Sequence, residues 1–146
     1  MVIDKTDILI VGGGPAGIVA AVTTRKNNPT KKIVLVRDKE RIVIPCAIPY
    51  IFYRLDSVKK DIMPDKPLEI NKVDLLIDKV TRIDATNKKV YFKNNRGLNY
   101  DKLILATGSE PTPLPIKGID KKGAVSYTHL RAHETRHDLV CRLLLE

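Results

Sequence analysis

The chain has no tryptophan, two phenylalanines and five tyrosines, so aromatic residues make up only 5 % of its 146 positions. That leaves no interleaved aromatic stripe on which single-stranded nucleic acid could stack. Cysteine is equally sparse: Cys46 and Cys141 are too few for a disulfide scaffold. No apolar run approaches the length that crosses a bilayer. The N-terminus also lacks a secretory pattern, because Asp4 and Asp7 interrupt it and its apolar segment runs into glycines. These absences predict a cytoplasmic protein without a membrane partner.

Charge is what the chain has in quantity. Charged residues reach 29 % against 43 % hydrophobic ones, a profile that suits one globular domain with a real core. The formal net charge is +9, from 26 Lys and Arg against 17 Asp and Glu. The lysines fall in scattered pairs, such as Lys31-Lys32, Lys59-Lys60 and Lys88-Lys89, at turns and element ends. A solvated basic surface accounts for that distribution, and no nucleic-acid partner is expected.

Composition changes near Gly123-Ala124. All three histidines and Cys141 lie beyond it, whereas no lysine does. His129, His133, His137 and Cys141 recur every four residues, a spacing that would line one helix face with zinc-type ligands. The segment has another reading. Residues 125–135 resemble one translated frame of a transposase-type sequencing-library adaptor, and residues 138–146 resemble the flow-cell primer that follows it. The interval between them is the size of an index tag. The expectation is therefore a genuine domain over 1–123, a non-native adaptor-derived tail over 124–146, no metal site, and a natural gene that continues past the cut.

Within 1–123, Ile8-Leu9-Ile10-Val11-Gly12-Gly13-Gly14-Pro15-Ala16-Gly17 runs a hydrophobic strand into a glycine turn and then a helical stretch. This is the pattern of a phosphate-binding βαβ unit. Gly12 allows the tight turn, Gly14 lets the backbone approach a pyrophosphate, and Gly17 lets the helix pack close to the strand. Strands are predicted over 7–11, 32–36 and 102–106, with a first helix over 16–26. A second helix should begin near Cys46 or Ala47 and be interrupted by Pro49. Residues 73–77, 79–85 and 89–93 alternate apolar and polar, which suggests a small antiparallel excursion.

Cys46 sits in Ile44-Pro45-Cys46-Ala47-Ile48-Pro49-Tyr50, twenty-nine residues after Gly17. Pro45 suits a helix start, where the positive end of the helix dipole favours a reactive thiolate. On its own, a cysteine in an apolar segment is more often buried filling. A third segment, residues 100–111, ends a buried strand in Ala106-Thr107-Gly108, where Gly108 permits a chain reversal and Thr107 offers a hydroxyl.

Together the three segments resemble the FAD-binding front of the pyridine nucleotide–disulfide oxidoreductase superfamily. The Cys46-Ala47-Ile48-Pro49-Tyr50 run is similar to its single-cysteine branch, which includes coenzyme A disulfide reductase, NADH oxidase and NADH peroxidase. The resemblance implies an α/β fold: a Rossmann-like FAD-binding domain, incomplete, with a parallel sheet and a small antiparallel β-meander. It implies that Gly12, Gly14, Pro15, Ala16 and Gly17 hold the FAD pyrophosphate and that Val80 lies near the adenine through its backbone. Ala106, Thr107 and Gly108 would border the cofactor. Cys46 would be the redox centre, cycling through a sulfenic acid or a mixed disulfide with coenzyme A. Tyr50 reads equally as a residue near the flavin and as packing.

One position departs from the pattern. An acid that binds ribose hydroxyls is expected directly after the second strand, and Arg37 stands there with Asp38 next. Either Asp38 reaches the ribose or Arg37 makes a different contact, and a solvated turn is the third option. The resemblance further implies NAD(P)H as co-substrate and a small-molecule disulfide (coenzyme A disulfide among them), oxygen or peroxide as acceptor. The full-length enzyme would be a homodimer, and this chain alone would bind FAD weakly and turn over little. Two other functions fit parts of the sequence. One is a ferredoxin- or rubredoxin-reductase-like flavoprotein in which Cys46 is incidental. The other is a non-enzymatic metal- or nucleic-acid-binding module built on the tail.

Overall fold

The structure is a computed structural model that describes residues 4–93, 96–109, 115, 117, 118 and 121. The described residues fall into two compact units. The first takes those of Met1–Ile42 and Met63–Gly108, the second those of Val43–Ile62 and Ser109–Glu146. The expected tail over 124–146, with His129, His133, His137 and Cys141, lies outside the described residues, as do Glu110 and Pro111.

The first unit is a six-stranded sheet. Its strands are β1 (Lys5–Val11), β2 (Ile33–Arg37), β3 (Asp74–Ile77), β4 (Val80–Asp84), β5 (Lys89–Phe92) and β6 (Gly97–Leu105), in the order β3-β2-β1-β6-β5-β4. β3, β2, β1 and β6 run parallel, whereas β4 with β5 and β5 with β6 are antiparallel. The parallel part reads as near-continuous apolar runs because both faces are covered. Ile8, Ile10, Ile33 and Leu35 pack on one face with Ile18, Ala21, Leu68 and Val73. Leu9, Val11, Val34 and Val36 pack on the other with Val90, Phe92, Leu98 and Tyr100. The period of two along each strand assigns alternate residues to the two cores.

Helix α1 (Pro15–Asn27) links β1 to β2. Its C-terminal end is closed by Arg25, whose guanidinium donates to the carbonyls of Pro29, Lys31, Asn71 and Lys72. Those bonds satisfy carbonyls that helix and turn ends leave open, and they tie α1 to the segment before β3.

Three expectations need correction. Residues 73–77 do not belong to the antiparallel excursion: β3 pairs parallel with β2, Val34 opposite Asp74 and Arg37 opposite Ile77. The final strand is longer than 102–106, because its start at Gly97–Asn99 pairs with β5 while Asn99 already faces Lys5 of β1. Pro49 does not interrupt the second helix. In the second unit, a 3-10 turn over Pro45–Ala47 passes into α2 (Ile48–Tyr50) and a π turn over Ile51–Leu55. Pro49 falls in the first turn of α2, where an amide N–H has no helical acceptor in any case. Among the described residues, no helix is long and apolar enough to cross a membrane.

Candidate functional site

The C-terminal ends of β1, β2, β3 and β6 lie side by side, with β1 between β2 and β6. The glycine turn leaves β1 at this edge, the place where open α/β sheets bind ligands. Gly12 donates its N–H to the Val36 carbonyl at 2.8 Å, and Ala106 donates to the Val11 carbonyl at 2.8 Å. The turn is thus stitched to the strand on either side.

Each glycine has its own reason. Gly12 adopts φ +116°, and a Cβ there would sit 2.0 Å from the Ala106 carbonyl oxygen. A Cβ on Gly17 would sit 1.9 Å from the Gly12 carbonyl oxygen and 3.6 Å from the Ala106 Cβ. Gly12, Gly17 and Ala106 therefore meet at one point, which brings the first and third sequence motifs together. Gly14 is different. It precedes α1 with φ −72°, and a Cβ on it would meet nothing within 4 Å.

The same end of α1 is poised for an anion. No side chain caps it, Pro15 occupies its first turn, and that turn contains no acidic residue. Pro15 and Ala16 are exposed there. The first amides of a helix point outward with the positive end of the dipole, so a phosphate placed beside Gly14 would gain both. Thr107 and Gly108 are exposed beyond β6, and Gly108 takes φ +74° with open space around it, as a chain reversal requires.

Arg37 is not part of a solvated turn. Its side chain is 2 % exposed and forks onto Asp65, Nη1 to Oδ1 at 2.6 Å and Nη2 to Oδ2 at 2.7 Å. Nη2 also donates to the Glu40 carbonyl. The aliphatic stem lies beneath the glycine turn: a Cβ on Gly13 would stand 2.5 Å from Arg37 Cδ. Gly13 is small because Arg37 is there. Asp38 is exposed. Val80, the first residue of β4, is half-buried and packs against the core that holds Val11 and Val36.

Sequence reasoning missed Asp65 and the short helix α3 (Lys66–Ile70) that it precedes. An Asp two residues before Pro67 is a helix-start signal that could have found them.

In the second unit, Cys46 is an exposed free thiol in the turn over Pro45–Ala47, and Tyr50 is also exposed. The Ile44 N–H donates to the Asp61 carbonyl at 2.9 Å, which ties the cysteine segment to the 3-10 turn over Val58–Asp61. Asp61 is 1 % exposed, and neither carboxylate oxygen has a hydrogen-bond partner among the described residues. Burial pushes its carboxyl up from the ordinary value. The folded state then holds a proton that the unfolded chain releases, so this contribution is present at low pH. It is lost as pH rises through the raised value. Asp61→Asn is expected to narrow the fall in stability that sets in as pH rises from the ordinary carboxylate value through the raised one. Thermal unfolding of both proteins across that range checks it; parallel pH profiles would contradict it. Among the described residues, no cluster of His, Cys, Asp or Glu could hold a metal ion.

The chain spans 28 % of the length of a relative named NADH oxidase from Methanocaldococcus jannaschii, to which it is 36 % identical over 124 residues, 79 % of this chain. Among solved structures, an NAD-dependent persulfide reductase from A. fulgidus superposes with a TM-score of 0.70 at 27 % identity, covering 92 % of this chain and 27 % of that one. The NADH:rubredoxin oxidoreductase of Clostridium acetobutylicum superposes with a TM-score of 0.65 at 25 % identity, over 87 % of this chain and 34 % of that one. The pattern of one family matches residues 6–141, nearly the whole sheet unit and more. The sheet order, the glycine turn at its parallel edge and that match agree, and the chain belongs to the pyridine nucleotide-disulphide oxidoreductase family.

Proposed function

We propose that this chain is the FAD-binding front of an NAD(P)H-dependent oxidoreductase that works through Cys46. The observation that carries the first half is the open, uncapped and acid-free end of α1 beside Gly14, a fitting seat for a pyrophosphate. Gly12, Pro15, Ala16 and Gly17 shape that seat, Ala106, Thr107 and Gly108 border it, and Val80 offers backbone for the adenine. Bound FAD would pass reducing equivalents between NAD(P)H and an acceptor. The exposed thiol of Cys46 in a helical first turn supports the second half. Such a thiol can attack a small-molecule disulfide such as coenzyme A disulfide, forming a mixed disulfide and releasing one thiol. It can also be oxidised by peroxide to a sulfenic acid with release of water. Two electrons originating from NAD(P)H would then restore the thiol in either case. The acceptor would be a small-molecule disulfide, oxygen or peroxide, in a cytoplasmic homodimer of the full-length enzyme.

The likeness to the rubredoxin oxidoreductase favours a second reading, an electron-transfer reductase in which Cys46 takes no part. Cys46→Ser in the full-length enzyme separates the two. The first reading expects disulfide or peroxide turnover to fall at least about a thousandfold, the scale of losing a nucleophile. Unchanged turnover with the physiological acceptor would support the second.

Residues 124–146 are read as translated adaptor. A gene sequenced without that chemistry should continue past codon 123 into a second glycine-rich dinucleotide motif. A gene that encodes His129 to Cys141 and then stops would overturn this.

A further inference from the structure

We infer that the carboxylate of Asp65, held in place by Arg37, accepts a ribose hydroxyl of the adenosine half of the bound dinucleotide. This rests on the FAD reading above. In dinucleotide-binding sheets the residue that ends β2 supplies a carboxylate to the ribose, and an arginine near that point suits a 2′-phosphate instead. Here the arginine is present but its fork is closed. Both terminal nitrogens of Arg37 are engaged, by the two Asp65 oxygens and the Glu40 carbonyl. The pair therefore presents its acid outward: the Asp65 side chain is 35 % exposed, that of Arg37 only 2 %.

Two details show that this carboxylate is available. Asp65 stands at the N-cap position of α3, yet its side chain caps nothing. An aspartate there would ordinarily turn back onto the helix amides. Each Asp65 oxygen takes one N–H from Arg37, which leaves each a lone pair for a further donor. The pair also belongs to the ligand turn, because the Arg37 stem fills the space beneath Gly13. The acid absent from the end of β2 is thus returned by a residue twenty-eight positions later, one guanidinium further out.

The test uses the full 146-residue chain with ADP, 2′-deoxyADP and 3′-deoxyADP as probes, titrated by calorimetry. Asp65→Asn is expected to weaken ADP binding about tenfold or more, the scale of a hydrogen bond to a charged group. That loss should shrink below about twofold for at least one deoxynucleotide, because the hydroxyl that Asp65 would accept is gone. The freed Arg37 fork should also improve binding of adenosine 2′,5′-diphosphate. If Asp65→Asn leaves Arg37 too poorly paired to fold, Arg37→Gln with Asp65→Asn removes both charges and the same comparison is run on the pair. Equal losses for ADP and both deoxynucleotides, or no loss at all, would overturn the inference while leaving the FAD reading intact. A parent chain that binds neither FAD nor ADP would overturn both.

Discussion

Gly12→Ala and Gly17→Ala are each expected to cost more than about 4 kcal/mol, enough to unfold a domain of ordinary stability. The cause is backbone meeting backbone. The new methyl would lie 2.0 Å from the Ala106 carbonyl oxygen in the first variant and 1.9 Å from the Gly12 carbonyl oxygen in the second. Neither oxygen is free to retreat: Ala106 and Gly12 are bonded through their amides to Val11 and Val36 at the centre of the sheet. At Gly12 the φ of +116° adds strain that any L side chain would feel. Far-UV circular dichroism and thermal melts check both variants. A melting curve within about 1 kcal/mol of the parent would show that the turn and β6 do not meet as described.

Gly14→Ala should do the opposite to stability and still remove binding. At φ −72° an alanine is unstrained, and its methyl would meet nothing within 4 Å. Replacing glycine at such a site lowers the entropy of the unfolded chain, so stability should hold or rise by about 0.4–1 kcal/mol. The methyl nevertheless stands where a pyrophosphate would touch the backbone. FAD affinity is expected to fall at least about a hundredfold, close to the loss of several charge-assisted hydrogen bonds. Melting and FAD titration of the same preparation read the two effects separately. A stable variant that binds FAD like the parent would move the phosphate away from this turn.

The contrast between these glycines shows what the sequence could reveal. Ile8 to Val11 and Ile33 to Val36 are legible as strands because burial on both faces leaves unbroken apolar runs. The glycine turn is legible because close approach admits no side chain. Distant pairings are not local properties. β3 is only the four residues Asp74-Leu75-Leu76-Ile77, too short a run to announce its pairing, and only its parallel register with β2 shows its place. Nothing near Arg37 announces Asp65, since an ion pair between residues so far apart leaves no periodicity to read. Asp61 follows two lysines and looks solvated, yet its carboxylate is buried with no partner among the described residues. Pro49 misled for a physical reason: proline breaks helix interiors but is tolerated in a first turn.

The decisive measurement is an FAD titration of the 146-residue chain, followed by flavin fluorescence, with ADP and FMN as competitors. A dinucleotide held at the glycine turn is gripped through its pyrophosphate and adenosine half. The expected result is saturable binding of one FAD per chain, displaced by ADP and untouched by FMN, which lacks that half. Displacement by FMN but not by ADP, or no saturable binding, would contradict the assignment of this turn to FAD.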